Sequence, residues 1–359
     1  MYRPTKNSIW NSFLASGKRH LILTGGKGSG KSTLLSSLFG PETPGLTSIF
    51  RAGTSVYLRE NPLGRTGQIG VYDTALSGSE NKMRPLPRTF TEFGIPALRR
   101  CADASGDWVS IDEIGYLEAS SPEYMTQLGK LMQIKRLGAA LRKQALLHLT
   151  KILSRDDVFT VDLDAPFGNC GCVIMASGKS VRFGANKLMA DFGGKPMIER
   201  ILRATEGIFT HRVVVTRDPS VREYCDIRGV ETVFHDLPGR DDTVRLGLQA
   251  VGSTDGCVFC PADQPLLRRE TLASLCISAA AVPGYIYRPA FGTEAGAPVL
   301  FPYFLYTELC NLPTGKGGGV VLKKYPDLVR SVQVEDPHEL SDVDTTEDLA
   351  RLLRYERME

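Results

Sequence analysis

Five apolar runs recur along the chain, HLILT (20–24), WVSI (108–111), CVIM (172–175), RVVVT (212–216) and CVFC (257–260), and each closes on a glycine-rich or polar turn. Helix-like stretches fill the intervals, and such alternation folds into α/β layers built on mostly parallel sheets. A chain of 359 residues exceeds what one hydrophobic core usually organises, so two domains are expected. Pro166, Gly168 and Asn169 break regular structure between the helix-like GAALRKQALLHLTKILS and the run CVIM. That break sets the expected domains at 1–165 and 170–359. Both halves open with a strand and a glycine-rich turn, but the turns carry different chemistry, so the halves are not repeats. In open α/β sheets ligands bind beyond the carboxyl ends of strands, and the loops after these runs are where function is expected.

The rest of the composition narrows the classes of partner. Apolar residues make up 42% and charged residues 23% of the chain, an ordinary globular balance. The net charge is only +3 and no block of Lys and Arg stands out, which argues against nucleic acid and membrane surfaces and for small anions. No apolar stretch reaches the roughly eighteen residues of a membrane span, and the opening MYRPTKNSIWNSFLASGKRH lacks the apolar run of a secretory signal. A cytoplasmic location is therefore expected, and with it reduced thiols. Cys257 and Cys260 spell CxxC without a second pair or a nearby His, and Cys170 and Cys172 share one strand face; both pairs read as core thiols.

The segment GGKGSGKS, Gly25 to Ser32, follows HLILT and precedes TLLSSLFG, so a P-loop pattern stands in its strand–loop–helix context. Gly25, Gly28 and Gly30 let the backbone curl until successive N–H groups face phosphate oxygens, at a helix N-terminus with its positive dipole end. Lys31 is expected to bridge the β- and γ-phosphates, Ser32 to ligate Mg²⁺, and Thr33 to hold the α-phosphate side. WVSIDEIG places Asp112 and Glu113 at the end of an apolar strand, Asp112 for the metal shell and Glu113 to orient or deprotonate water. GGKGSGKST, GLTSIFRAG, DEIGYLE and LTKILSRDDVFTVD together resemble the thermophile-type nucleoside triphosphatases over about residues 18–165. The resemblance implies a three-layer P-loop sandwich and magnesium-dependent hydrolysis of nucleoside triphosphates such as ATP or GTP. It also aligns Thr47 with the segment answering the γ-phosphate, with Arg51 and Arg59 nearby.

After CVIM the loop ASGKSVRFGANKL carries Gly178, Arg182, Gly184 and Lys187, and CVFCPADQPLL places Asp263 just past a strand. Fixed cations beside backbone N–H donors suit the charge that builds on a departing pyrophosphate. These motifs, with GRDDTVRLGLQAV, TEAGAPVLFP, LPTGKGGGVVLKK and LSDVDTTEDLARLL in the same order, resemble the MobA-like nucleotidyltransferases across residues 170–356. The resemblance implies a Rossmann-like, GT-A-like mostly parallel sheet, catalytic Arg182, Lys187 and Asp263, donor contacts from Gly178 and Thr243, and Mg²⁺ held by Asp263 and Asp344. Asp242 reads as a helix cap. Thr345 to Asp348 compete with Asp344 as a cap for the last helix.

Within that group the base-reading segment and NKLMADFGGKPMI look most like molybdenum cofactor cytidylyltransferases. CTP is then the implied donor and molybdopterin, or its molybdenum form, the acceptor, with a molybdenum hydroxylase apoenzyme as a further partner. Alternatives from the same residues are GTP as donor, or a sugar phosphate or methylerythritol phosphate as acceptor. A nucleotide-gated protein that binds and delivers the finished cofactor is the non-enzymatic alternative. Ser177 and Lys316 differ from residues common in relatives and leave that reading open.

Overall fold

The computed structural model describes residues 2–51, 53–76 and 82–358. They form two compact units: residues 17–165, and the stretch up to residue 16 together with everything from 166 onward.

In the first unit β1 (His20–Gly25), β2 (Gly45–Arg51), β3 (Ser55–Asn61), β4 (Thr66–Tyr72), β5 (Met83–Pro85), β6 (Trp108–Ile114), β7 (Arg136–Arg142) and β8 (Val158–Asp162) make one sheet in the order β5-β4-β3-β2-β6-β7-β1-β8. Strands β2, β6, β7, β1 and β8 run parallel, and β3 to β5 extend the sheet antiparallel. Every residue of β1 is buried, which is why HLILT reads as an unbroken apolar run rather than an alternating one. Ile22, Ile111 and Leu141 from the strands pack with Leu98, Leu128 and Leu131 from the helices Ile95–Asp103 and Pro122–Ile134. At Gly138 the approach is so close that a Cβ would enter the ring of Phe39.

A tight turn leaves β6 at Gly115, whose N–H donates to Glu118 Oε2 at 2.8 Å. Glu118 is itself buried, and Ser48 Oγ on β2 donates to its other oxygen at 3.4 Å. Burial pushes the Glu118 carboxyl up to about 7, against the pull of the Gly115 N–H in the other direction.

The second unit carries β9 (Cys170–Ala176), β10 (His211–Thr216), β11 (Glu231–Phe234), β12 (Gly256–Pro261), β13 (Ile286–Phe291), β14 (Glu294–Ala295), β15 (Val299–Pro302) and β16 (Val329–Gln333). Their order is β11-β10-β9-β12-β15-β13-β14, with β16 beside β13. The four strands β11 to β12 are parallel, and β15 enters antiparallel on β12. Val173, Val213, Val215 and Phe259 supply the core on one side. Cys170, Cys172, Cys257, Cys260 and Cys276 are buried free thiols, with the sulfurs of Cys172 and Cys260 3.8 Å apart. Among the described residues no helix is long and apolar enough to cross a membrane.

The expected domain 1–165 needs correction at its start. Residues up to 16 belong with the second unit, because the Lys6–Ser16 helix buries Ser8, Ile9, Ser12 and Phe13 against the Arg269–Ala281 helix and β16. Ser12 Oγ donates to Ser274 O at 2.9 Å, and Tyr2 N donates to Gly207 O at 3.0 Å. The sequence hides this because a short amphipathic helix shows which face is buried but not what covers it.

Two outcomes follow. Removing residues 2–16 uncovers the seats of Ile9 and Phe13, worth about 1.5–3 kcal/mol each. Hydrogen exchange should accelerate in Arg269–Ala281 and β16 and stay unchanged in β1, β6 and β7; equal loss in both units contradicts the assignment. Folded Glu118 keeps its proton to higher pH than an unfolded glutamic acid at 4.5, so its contribution is full below about pH 4.5 and is lost as pH rises toward 7. Glu118→Gln should flatten that part of the denaturant-midpoint profile by a few kcal/mol, on the order of 3, and parallel profiles for the two proteins contradict it.

Candidate active sites

In the first unit the loop between β1 and the Lys31–Leu38 helix turns through positive φ at Gly28 (79°) and Gly30 (94°). A Cβ at either would meet nothing within 4 Å, so glycine is required there by conformation rather than by space. Lys31 Nζ folds back over the loop and donates to Gly25 O at 2.8 Å and Gly26 O at 2.7 Å. Burial lowers the Lys31 ammonium, partly offset by Glu113, Asp164 and Asp112. Ser32 Oγ donates to Asp112 Oδ1 at 2.9 Å, which joins the loop to the end of β6; burial raises the Asp112 carboxyl. Thr33 is exposed in the first turn of the helix.

Glu113 sits on a β-bulge with φ 78°, unusual for a residue with a side chain, and its carboxylate pairs with Arg142 Nε. Thr47 lies in register with Asp112 across β2 and β6, its hydroxyl accepting from Asn61 Nδ2 at 2.7 Å. Arg59 Nε donates to Asn61 Oδ1 at 3.1 Å, and Arg51 covers the ring of Tyr57, so both stay on the β2–β3 extension.

Two residues here escaped the sequence reading. Asp164, placed near the domain boundary by its neighbours, accepts from Gly26 N through both oxygens at 2.9 and 3.0 Å. Arg142 carries no motif. Both are reached only through strand order, because β7 and β8 flank β1.

In the second unit a buried ammonium forms the centre. Lys187 Nζ donates to Asp263 Oδ2 at 2.6 Å, Val343 O at 2.7 Å and Asp344 Oδ1 at 3.2 Å. Burial alone would lower Lys187, but Asp263 and Asp344 outweigh it and hold the amine above lysine's usual value. Arg182, largely exposed, reaches Asp344 Oδ2 at 2.7 Å. Thus Arg182, Lys187, Asp263 and Asp344 gather from three separate stretches. The final helix, Thr346–Glu356, is capped by Thr345 and Asp348, whose mutual bonds measure 3.0 and 3.1 Å. Asp344 is thereby left to face the cations.

Beyond the ends of β9, β10 and β11 opens a cavity of about 610 Å³, lined by Gly178, Lys179, Ser180, Asn186, Arg217, His235 and Asp236 among others. Arg217 ties its walls together, donating to Ser177 O at 2.8 Å and Leu237 O at 3.3 Å. Ser177 Oγ lies 2.9 Å from His235 Nε2, and burial lowers the His235 imidazole. Neither Arg217 nor His235 falls within a motif of the sequence reading; Arg217 merely follows the run RVVVT.

Thr243, the expected donor contact, is 2% exposed, and its hydroxyl turns to Gly239 O at 3.5 Å. It shares the inward stripe of the Arg240–Val251 helix with Val244, Gly247, Leu248 and Val251. Asp242 accepts from Gly239 N at 3.1 Å and serves the helix start. Gly315 N donates to Asp241 Oδ1 at 2.6 Å, which docks the 315–319 loop at that same helix start.

Among the described residues no three His, Cys, Asp or Glu side chains gather as a metal cage. The oxygen donors come in pairs, Ser32 with Asp112 and Asp263 with Asp344. Such pairs suit a hard cation that keeps waters and takes its remaining ligands from phosphates.

Residues 172–329 match the family model described as the MobA-like NTP transferase domain. A probable molybdenum cofactor guanylyltransferase of Aquifex aeolicus (strain VF5) is 28% identical over 102 residues, 28% of this chain and 49% of that protein. The chain thus spans about half the length of this curated relative. Among solved structures, a nucleotidyl transferase from Methanothermobacter thermautotroptrophicus aligns at 21% identity with a TM-score of 0.47, over 53% of this chain and 99% of that one. THEP1 from the hyperthermophile Aquifex aeolicus aligns at 19% identity with a TM-score of 0.35, over 40% of this chain and 89% of that one. The stretch that matches this model holds Gly178, Arg182, Lys187, Asp263 and the residues that line the cavity.

Proposed function

We propose that the second unit transfers CMP from CTP to the terminal phosphate of molybdopterin, and that residues 17–165 hydrolyse a nucleoside triphosphate to drive a linked step such as cofactor delivery to a molybdenum hydroxylase apoenzyme. The observation that carries the transferase reading is Lys187, buried between Asp263 and Asp344 at the carboxyl end of the parallel strands and next to Arg182. The matched family domain supports the same reaction class.

In this reading the acceptor phosphate oxygen bonds to the α-phosphorus as the bond to the pyrophosphate oxygen breaks. Arg182 and Lys187 stabilise the charge left on pyrophosphate, and the 178–186 loop holds the triphosphate in line. Asp263 and Asp344 are the residues suited to hold Mg²⁺. When bound, the cation would neutralise phosphate charge and help align the reacting groups. No residue needs to become covalently attached to the nucleotide. In the first unit Gly25, Gly28, Gly30 and Lys31 cradle the phosphates, Ser32 and Asp112 suit a second Mg²⁺, Thr33 borders the α-phosphate side, and Glu113 orients water.

GTP as donor is the second reading, favoured by the guanylyltransferase in the name of the Aquifex relative. Incubating the protein with molybdopterin, Mg²⁺ and either CTP or GTP separates the two by released pyrophosphate, CTP being the faster here. Transfer only to a sugar phosphate or to methylerythritol phosphate replaces the acceptor. Tight dinucleotide binding without transfer replaces the enzyme with a delivery protein.

Asp263→Asn and Asp263→Ala should each lower pyrophosphate release at least about 100-fold. The Ala variant also leaves Lys187 short of a partner and should lose about 3 kcal/mol of stability. Full activity in either sinks the assignment. Lys31→Ala should abolish NTP hydrolysis, by at least about 100-fold, while leaving pyrophosphate release from the second unit within a factor of about two. Undiminished hydrolysis in that variant removes the P-loop as its site.

A further inference from the structure

Arg142 has no part in the mechanism above, and nothing in the segment GAALRKQ marks it. Its position does. It ends β7, the strand lying between β1 and β6. In register it faces Gly25, the first glycine of the phosphate loop, and it stands two residues beyond Ala140, the partner of Asp112. The guanidinium therefore leaves the sheet at the same carboxyl edge as the loop and the acidic pair, between the two.

Three features hold it there. A Cβ on Gly115 would meet Arg142 Cδ at 2.9 Å, so the arginine stem runs over bare backbone. The guanidinium carbon is 5.6 Å from the Tyr116 ring centroid, within reach of a cation–π contact. Glu113 accepts from Arg142 Nε, and it can do so because β6 bulges there at φ 78°. A non-glycine residue in that region is strained and persists when its surroundings over-determine it. The Arg142 pair is one of those surroundings, and it occupies the carboxylate that would otherwise address a water.

We propose that Arg142 is a catalytic residue of triphosphate hydrolysis: it clamps Glu113 while no nucleotide is bound and moves onto the terminal phosphate when a triphosphate arrives. The inference rests on the hydrolase reading of residues 17–165. At rest Lys31 Nζ donates to two carbonyls and, at 3.4 Å, to the Ser29 hydroxyl, while Arg142 pairs with the partly exposed Glu113 carboxylate. A terminal phosphate between them offers both a stronger, charge-assisted partner. Releasing Glu113 then completes the reaction. A water oxygen bonds to the γ-phosphorus, the bond from that phosphorus to the β–γ bridging oxygen breaks, and the electron pair stays with the diphosphate. The water's proton passes to the Glu113 carboxylate and from there to the released phosphate. Arg142 stabilises the charge on the transferring group throughout.

The test uses the full chain with ATP and Mg²⁺. Arg142→Ala should lower kcat at least about 100-fold, in line with what such arginines contribute, while KM changes less than about threefold. Calorimetry should show that the preference for a non-hydrolysable triphosphate over the diphosphate falls about tenfold, or 1.4 kcal/mol, with diphosphate affinity unchanged. Arg142→Lys should recover part of kcat. Gly115→Ala, which keeps the arginine but displaces its stem, should lower kcat without altering diphosphate binding and stands in if Arg142→Ala does not fold. Wild-type kcat and an unchanged triphosphate preference in these variants overturn the role of Arg142 and leave the hydrolase reading intact. A wild-type protein that hydrolyses no nucleoside triphosphate overturns that reading and this inference with it.

Discussion

Parallel strands share a direction, so their carboxyl ends open along one edge and the loops that follow them converge. Nearly every chemically loaded residue of this protein stands a few positions past such an end. In the first unit the glycine loop follows β1, Asp112 and Glu113 close β6, Arg142 closes β7 and Asp164 follows β8. In the second, the 177–187 stretch follows β9, Arg217 follows β10, His235 and Asp236 follow β11, and Asp263 follows β12. The antiparallel pairings of β3 to β5, and of β15 with β12 and β13, enlarge the two sheets. The helices between parallel strands bury both sheet faces, and this is why the strands themselves are so apolar.

Convergence concentrates charge, and charge withdrawn from water must be matched. Four cations at these edges have internal partners: Lys31 two backbone carbonyls, Arg142 the Glu113 carboxylate, Lys187 two carboxylates and a carbonyl, Arg182 the second oxygen of Asp344. Asp263 and Asp344 hold the Lys187 ammonium between them, and in the first unit the Ser32 hydroxyl meets the Asp112 carboxylate.

What could be read beforehand was local. A P-loop is eight consecutive residues whose strand and helix adjoin it, and its glycines carry their own conformational reason, so Gly28 and Gly30 were legible with no tertiary information. Lys187, Asp263 and Asp344 were legible because each lies in a short motif with a recognisable order. The burial of Thr243 was less legible: within GRDDTVRLGLQAV the 3.6-residue period allows an inward position, and the packing of that helix placed it there.

The sequence by itself determined the alternating strands and helices, the two glycine-rich loops and the acidic residues at strand ends, since all are set by spacing within a few residues. Tertiary structure alone decided which strands became neighbours. By seating β7 between β1 and β6 it brought Arg142 to Glu113, and by folding the Lys6–Ser16 helix onto Arg269–Ala281 it gave the first residues to the second unit. Periodicity states which face of an element seeks burial; only the competition among all such faces for one another's surface states what each will meet.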